Sequence, residues 1–283
     1  MLGNYLIGLR EGLEAALVVS ILLVYLQRTN RQALIRWVTY GVVSAVFASI
    51  LVAFALEGVS SELEETAEPI FAGTVSFLAV IFVTWMIFWM KKSARTISTD
   101  LRNRLDEAAV AGGKFAVALM AFVAVIREGA ETAIFYWAAS QASGNSTVSL
   151  VGLTLGLGTA VALGWAIYKS SASINLPKFF RVTGVLLVFV AAGVLSYGIH
   201  EFQEVGYLPG EDSVFLDLSS VLTEGSIFST LVAGIFNIKA TTTTIQAIAY
   251  AAYIVLVLFI FLKPVDGRPF TRTKNTEPTL ISK

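Results

Sequence analysis

Two short charged motifs stand inside stretches of sequence that are otherwise apolar. Residues 10–17 read REGLEAAL and residues 127–134 read REGAETAI, so five of eight positions are identical at a spacing of 117 residues. On a helix that turns about 100° per residue, Glu11 lies about 100° and Glu14 about 40° around from Arg10. The three charges of each motif therefore project from one side of a helix.

An ionised side chain inside a bilayer is costly unless it faces protein or water. At 1.5 Å per residue Glu14 lies roughly 15 Å into its helix, so the two motifs are expected to face each other or water. Together they hold four carboxylates and two guanidiniums, formal charge −2, and carboxylate oxygens suit hard divalent cations. The predicted cation ligands are Glu11, Glu14, Glu128 and Glu131, with Arg10 and Arg127 in support.

A structural ion-pair cluster is the alternative interpretation of the motifs. The arginine and second glutamate of each motif are spaced i,i+4 and could neutralise each other, but this leaves Glu11 and Glu128 unexplained. Gly12 and Gly129 each cost a helix about 1 kcal/mol relative to alanine. We predict that they let the two motif helices approach each other closely.

The composition places the chain among membrane proteins and limits the chemistry of any site. Hydrophobic residues make up 56% of the 283 residues and charged residues only 14%, too little polar surface for a soluble domain. The chain has no cysteine and one histidine, which excludes disulfides, thiolate sites and multi-histidine sites. Any metal site must be mainly oxygen-ligated, which favours Mg, Ca, Mn or Fe.

Seven stretches are apolar and long enough to span a bilayer, which takes roughly 20 residues. They are predicted at 4–26, 37–57, 69–90, 113–140, 148–168, 182–203 and 243–263. The connections after spans 1, 3 and 5 and the tail after span 7 are rich in lysine and arginine, whereas the other connections are acidic or uncharged. Because basic connections stay in the cytoplasm, the N-terminus is predicted outside and the C-terminus inside. The basic residues are thereby explained without nucleic acid.

The fold class predicted is therefore all-α: a polytopic membrane protein of seven transmembrane helices, built as a 3+3 inverted repeat plus one helix. The two motifs open three-helix groups of opposite direction, an arrangement typical of transporters. We predict one transmembrane domain at 1–263, with repeat A at 1–90 and repeat B at 112–203. An outer loop at 204–240 is predicted to hold an interfacial segment at 221–239. Threonines 241–244 are predicted to cap and start a seventh helix at 243–263, and a cytoplasmic tail follows at 264–283.

Further polar clusters lie at the predicted outer side. They are candidates for metal entry, because clustered negative charge concentrates cations and because i,i+4 side chains can share a metal. A solvated acidic loop and a polar helix end are the alternative interpretations. The residues are Glu62, Glu64, Glu65 and Glu68 before span 3, and His200, Glu201 and Glu204 at the end of span 6.

Glycines and tryptophans of the spans are predicted to have structural roles. The glycines of span 5, Gly152, Gly156 and Gly158, are predicted to form a helix-packing face. Tryptophans near span ends are predicted to lie mostly at the membrane interface; these are Trp85, Trp89, Trp137 and Trp165.

The duplicated REGxE motif, the seven spans, the acidic second loop and the sequence HEFQE at 200–204 resemble the oxidase-dependent iron permeases, the Ftr/Efe family. At this length the chain is most similar to the bacterial Efe-type ferrous iron permeases. The resemblance implies that the four motif glutamates carry iron, that the protein lies in a bacterial inner membrane, and that periplasmic iron-binding and iron-oxidising proteins are its partners. It implies no cofactor beyond the transiently bound iron ion.

Three functions are weighed. The first is an iron permease that moves iron into the cell through a site made by the two REGxE helices. Such a protein would contact membrane lipid, and a homo-oligomer is one candidate state. The second is a transporter or proton-coupled exchanger of another divalent cation, since carboxylates also serve proton relays. The third is an intramembrane enzyme using paired carboxylates as acid and base, which the neighbouring arginines disfavour. We predict no enzymatic activity.

Overall fold

The computed structural model describes residues 1–61, 67–93, 97–170, 176–211, 213–217 and 241–263. Across these ranges the chain is almost entirely helical, which confirms the predicted all-α class. The helices are α1 (Leu2–Arg28), α2 (Ile35–Ser61), α3 (Ala67–Ser93), α4 (Ile97–Ala111), α5 (Gly113–Ser143), α6 (Ser146–Ser170), α7 (Leu176–Glu204) and α8 (Thr244–Leu262). A 3-10 turn at Gln32–Leu34 precedes α2, and β1 (Val214–Asp217) pairs antiparallel with β2 (Thr241–Thr243).

Six of the seven predicted spans each lie within one of these helices, and the seventh, 243–263, extends one residue beyond α8 at each end. In the described part of the chain, five helices are long and apolar enough to cross a membrane: α2, α3, α6, α7 and α8. The chain is thus a multi-pass membrane protein. The other two candidates, α1 and α5, have 27 and 31 residues and are long enough, but each carries the three charges of a REGxE motif. Spanning by α1 and α5, and the orientation of the whole, stay predictions.

Helix packing follows a symmetric scheme. The most extensive contacts join α1 to α6, α2 to α5 and α3 to α7, while α1 and α5 meet in the centre and α8 packs on α7 and α3. In terms of the predicted repeats, the first helix of each half pairs with the second helix of the other half, and the two third helices pair together. This exchange of partners is what a twofold axis between the halves would generate.

Close contacts fix which helix ends lie together. Gly152 of α6 lies against the carbonyl of Met1, and the amide of Gln27 donates to the hydroxyl of Tyr168 at 2.6 Å. Both ends of α1 therefore meet the matching ends of α6, so the two helices run parallel. In the same way Gly41 lies against Ala118, and α2 runs parallel to α5.

The remaining helices continue this alternation. Gly73, near the start of α3, packs against Phe202 at the end of α7, so these two helices run antiparallel. Lys91 at the end of α3 donates to the carbonyl oxygens of Phe261 and Lys263 at 2.6 and 2.5 Å. Helices α3 and α8 therefore end on the same side of the molecule.

The connection after span 3, predicted only as a solvated basic stretch, contains a 15-residue helix, α4. The prediction missed it because its apolar positions are few. Two of them, Leu101 and Leu105, are buried against residues of α1 and α5 such as Leu26 and Val117. The helix is amphipathic: its apolar face covers the ends of α1 and α5 while its charges stay in solvent.

Asp106 ties α4 to the end of α1. Its carboxylate accepts a 2.5 Å hydrogen bond from the hydroxyl of Tyr25 and forms a 2.8 Å ion pair with Arg31. We expect Asp106→Ala to loosen α4 by about 1 kcal/mol, because one charge-assisted hydrogen bond and one half-exposed ion pair are lost. Amide hydrogen exchange within residues 97–111 should then rise about fivefold.

The neighbouring Glu107 is exposed and provides the matched control. Glu107→Ala should leave the exchange of α4 unchanged. Equal exchange in Asp106→Ala and wild type would mean that apolar packing alone holds the helix.

The predicted capping of the last helix by threonines is confirmed. Thr243 is the N-cap of α8: its hydroxyl accepts from the backbone N–H of Gln246, whose side chain accepts in return from the backbone N–H of Thr243 at 2.8 Å. The hydroxyl of Thr243 also donates to Gln203 of α7 at 3.0 Å. The reciprocal pair of hydrogen bonds satisfies backbone N–H groups that have no partner within the helix. The bond to Gln203 anchors the start of α8 to the end of α7. The segment 221–239 and the tail 264–283 lie outside the described residues.

Candidate metal site

The two REGxE motifs meet where α1 and α5 cross. In the first motif, Nε of Arg10 donates to Oε1 of Glu14 at 3.3 Å, and the two side chains are 1% and 3% exposed. In the second motif, Nε of Arg127 donates to Oε1 of Glu131 at 3.0 Å, with exposures of 38% and 17%. The same i,i+4 pair thus forms in both helices, but the first is sealed and the second is partly open.

Three of the four predicted carboxylates come together. Oxygens of Glu11, Glu128 and Glu131 lie within 4.8 Å of one another, the only such group of three ligands in the part of the chain that is described. Oxygens bound at 2.3–2.6 Å to one cation are separated by at most about 5.2 Å. The spacing therefore suits a single hard cation. Glu14 is not a member of this group and is engaged by Arg10 instead.

Several oxygens of this group have no hydrogen-bond partner. Both carboxylate oxygens of Glu11 and Oε2 of Glu131 are buried without one, and Glu11 is only 1% exposed. Buried polar atoms in folded proteins nearly always have a partner, and a buried charge needs a counter-charge or a metal. Within the described part of the chain these oxygens accept no hydrogen bond, and a bound cation would supply their partner.

The motif glycines do not do what the sequence predicted. A Cβ on Gly12 would lie 2.8 Å from Cβ of Ala160 on α6, and a Cβ on Gly129 would lie 2.6 Å from Cβ of Ser49 on α2. The glycines therefore permit close packing of α1 on α6 and of α5 on α2, and the prediction that they bring α1 and α5 together is wrong. Each motif helix has its charges on one face and its glycine on another. The face of α1 that carries the charges therefore contacts α5, and the face that carries Gly12 contacts α6.

The predicted glycine face of span 5 is present in part. Gly156 of α6 lies against the backbone of Tyr5 and Leu9, and Gly152 against that of Met1 and Tyr5, whereas a Cβ on Gly158 would meet nothing within 4 Å. Together with Gly8 and Gly12, two of the three predicted glycines form the seam between α1 and α6.

The outer candidate residues are only partly described. Glu62, Glu64 and Glu65 lie outside the described residues. Glu68 is exposed at the start of α3; at the end of α7, His200 is half-buried, Glu201 is buried and Glu204 is exposed. Contacts between Gly73 and Phe202 place these two helix ends together. They do not form a three-ligand group within 4.8 Å in the described chain, and a role in metal entry stays a prediction.

Sequence reasoning missed the aromatic surroundings of the second motif. The guanidinium carbon of Arg127 lies 4.6 Å from the ring centre of Trp89 and 5.8 Å from that of Trp85. The i,i+4 spacing of these tryptophans on α3 was the available signal. Trp137, also predicted at the membrane interface, is instead 3% exposed and packs edge-on against Phe71 at 5.4 Å.

Comparisons with known proteins match the chain over most of its length. The model of the Iron permease FTR1 family matches residues 1–266. Ferrous iron permease EfeU of Escherichia coli O157:H7 is 36% identical over 262 residues, covering 92% of this chain and 95% of that protein. The EfeU of Yersinia pestis is 34% identical over 262 residues, covering 92% and 93%. No solved structure matches the chain.

Proposed function

Because the chain belongs to the iron permease FTR1 family, a family of transporters and not of enzymes, we propose that its iron passes through the carboxylate group formed by Glu11, Glu128 and Glu131. The chain is thus an iron permease, and what is proposed is the route. Carboxylate oxygens bind both ferrous and ferric ions, and the charge of the six motif residues, −2, matches one divalent ion. Membership of this family favours iron transport over the two other candidate functions, transport of another divalent cation and intramembrane enzyme activity.

One observation carries the proposed route: buried carboxylate oxygens without partners that lie close enough to share one ion. Glu11 is 1% exposed and both its oxygens are unpartnered. In a structural ion-pair cluster we would expect the two guanidiniums to pair with the first glutamates as well, because each offers five donors. The arginines instead pair with the second glutamate of each motif and leave the first glutamates available.

We also propose that α1 and α5 span the membrane with the other five helices, with the N-terminus outside and the C-terminus inside. The parallel pairs α1 with α6 and α2 with α5, and the antiparallel pair α3 with α7, are all required by seven alternating spans. The exchange of partners between 1–90 and 112–203 supports an inverted repeat within one domain. Buried charges on α1 and α5 are tolerated because these helices are enclosed by the others.

Apolar side chains close the route on both sides of the carboxylates. One turn toward the predicted outer side, Ile7 and Phe135 line a small apolar cavity with Val80 and Leu187 of α3 and α7. Toward the predicted inner side, Leu22 belongs to the cluster that α4 covers. We propose that the ion passes these apolar contacts when helices move alternately on either side of the site.

In the proposed sequence of events, carboxylates at the outer ends of α3 and α7 concentrate iron, the central group replaces its water, and the ion leaves at the inner side. The resemblance to the family is the basis for proposing periplasmic partner proteins that bind and oxidise iron, and a bacterial inner-membrane location. A homo-oligomer is one candidate state. The relatives named EfeU are bacterial proteins, which supports the bacterial location.

The test removes one carboxylate at a time. We expect Glu131→Ala to lower the initial rate of radiolabelled iron uptake about 10- to 100-fold, an effect of the size seen when metal sites lose supporting groups. Glu14→Ala should lower it as well, because Arg10 is then left buried without its partner. Uptake is measured in cells whose own iron transporters are deleted, at equal amounts of protein in the membrane.

Glu57 of α2, an exposed carboxylate, is the matched control, and Glu57→Ala should transport normally. Wild-type iron accumulation by Glu131→Ala would rule out the proposed route while leaving membership of the family intact.

A further inference from the structure

The two halves of the site differ in how their arginines are held. Arg10 is enclosed, with 1% exposure, so packing on every side fixes its position. Arg127 is 38% exposed, and packing alone does not restrict its long side chain. A flexible side chain on an open side of the site needs another restraint if it is to keep one conformation.

That restraint is visible on α3. The guanidinium of Arg127 lies over the ring of Trp89 at 4.6 Å, well within the roughly 6 Å range of a cation–π contact. Trp85, one turn earlier, is farther away at 5.8 Å. Its ring is stacked on that of Trp89, with 6.5 Å between the centres and 30° between the planes. Trp89 is thus the nearer of the two rings and lies under the charge, whereas Trp85 is farther from it.

The orientation of Arg127 determines that of Glu131. Arg127 donates to Oε1 of Glu131 at 3.0 Å, while Oε2 of the same carboxylate has no partner in the described structure. Arg127 therefore holds one oxygen of a carboxylate that belongs to the group shared with Glu11 and Glu128. If Arg127 turned away, Glu131 would lose the contact that aims it.

A membrane-interface role is the other interpretation of these tryptophans. It suits Trp85, which is 55% exposed, and whose ring is the more distant of the two. It does not explain why the half-buried Trp89 lies nearer the guanidinium. Arginine stacks on aromatic faces while its donors remain free for a carboxylate, which is the arrangement present here.

We infer that Trp89 is a positioning residue for the second motif: its ring holds Arg127 where the guanidinium keeps one oxygen of Glu131 directed into the carboxylate group. The inference rests on the proposed route of iron. It assigns Trp89 no contact with the ion, and it predicts an effect on iron affinity more than on the amount of folded protein.

The test compares Trp89→Leu, Trp89→Phe and Trp85→Leu in radiolabelled iron uptake, measured across iron concentrations to separate KM from the maximal rate. We expect Trp89→Leu to raise KM about threefold to tenfold, the range that corresponds to a partly desolvated cation–π contact. Trp89→Phe keeps a ring face and should stay within about twofold of wild type, as should Trp85→Leu.

A double substitution shows whether Trp89 acts through Arg127. Equilibrium binding of radiolabelled ferrous ion to the purified protein, without oxygen, is measured for Arg127→Gln with and without Trp89→Leu. A positioning role predicts that Trp89→Leu has almost no further effect once Arg127 is gone, whereas a general structural role predicts the same factor in both backgrounds. Binding is used here so that loss of transport does not obscure the comparison.

The outcomes separate the two proposals. Normal uptake by Glu131→Ala overturns the route and, with it, the role of Trp89. Loss of uptake in Glu131→Ala together with wild-type KM in Trp89→Leu overturns only the role of Trp89, as do equal effects of Trp89→Leu and Trp85→Leu. Should Trp89→Leu be absent from the membrane, Trp89→Met, which keeps much of the volume without a ring, replaces it in every comparison.

Discussion

Glu11→Gln is expected to lower iron uptake by about 100-fold or more and, at the same time, to make the iron-free protein more stable. Glu11 is the most enclosed of the three grouped carboxylates, and neither of its oxygens has a partner within the described protein. Glutamine has the same shape but no charge, so a cation loses one of its few anionic ligands. Losses of this size are typical when buried charged contacts are removed at functional sites.

The gain in stability has a separate cause. A buried carboxylate without a partner is unfavourable, and here it also lies beside two others. Removing its charge lowers the formal charge of the six motif residues from −2 to −1. We expect the free energy of unfolding to rise by about 1–3 kcal/mol, the usual cost of a buried unsatisfied group. A stabilising substitution that removes function is common where a site is held in an unfavourable arrangement.

Thermal unfolding of the purified protein in detergent, with and without ferrous ion, measures both effects. Iron should stabilise the wild type, because it binds the folded state, and should not stabilise Glu11→Gln. Glu57→Gln, on an exposed carboxylate, is the control and should resemble wild type in both assays. A Glu11→Gln protein that unfolds earlier than wild type would mean that Glu11 has a stabilising partner, contrary to its surroundings described above.

Gly156→Ala is the second substitution with a large expected effect, this time on assembly. A methyl group at this position of α6 would lie 2.7 Å from the backbone nitrogen of Leu9 and closer still to the carbonyl oxygen of Tyr5. Backbone atoms cannot turn aside as a side chain can, so α1 must move away from α6. Overpacking of this kind costs about 1–3 kcal/mol or more, and the displaced α1 would carry Glu11 with it.

Gly158, two residues farther along the same helix, provides a matched control, since a methyl group there meets nothing within 4 Å. Gly158→Ala should leave the thermal unfolding temperature unchanged or slightly higher, because alanine favours a helix by up to about 1 kcal/mol over glycine. We expect Gly156→Ala to unfold at a lower temperature and to lose most iron uptake. Equal unfolding temperatures for the two variants would contradict the close approach of α1 and α6.

The sequence was sufficient for the properties that depend on local composition. Long apolar stretches predicted the helices α1 to α3 and α5 to α8, and most of the predicted helix ends are correct to within a few residues. This succeeded because the length of a bilayer span and the cost of a charge in lipid act on each segment separately. The threonines before α8 predicted its start, since a cap is formed by neighbouring residues. The duplicated motif indicated a carboxylate site before any tertiary contact was known.

Other features depend on the rotation of each helix about its axis and on the partner it meets, and only the tertiary structure decided them. Gly12 faces α6 and not α5, Glu14 pairs with Arg10 and lies outside the ligand group, and Trp89 faces Arg127. The two motifs are nearly identical in sequence, yet one arginine is sealed and the other is partly exposed. Equal local sequences acquire unequal surroundings because contacts between distant helices, which no single segment encodes, set the burial of each charge.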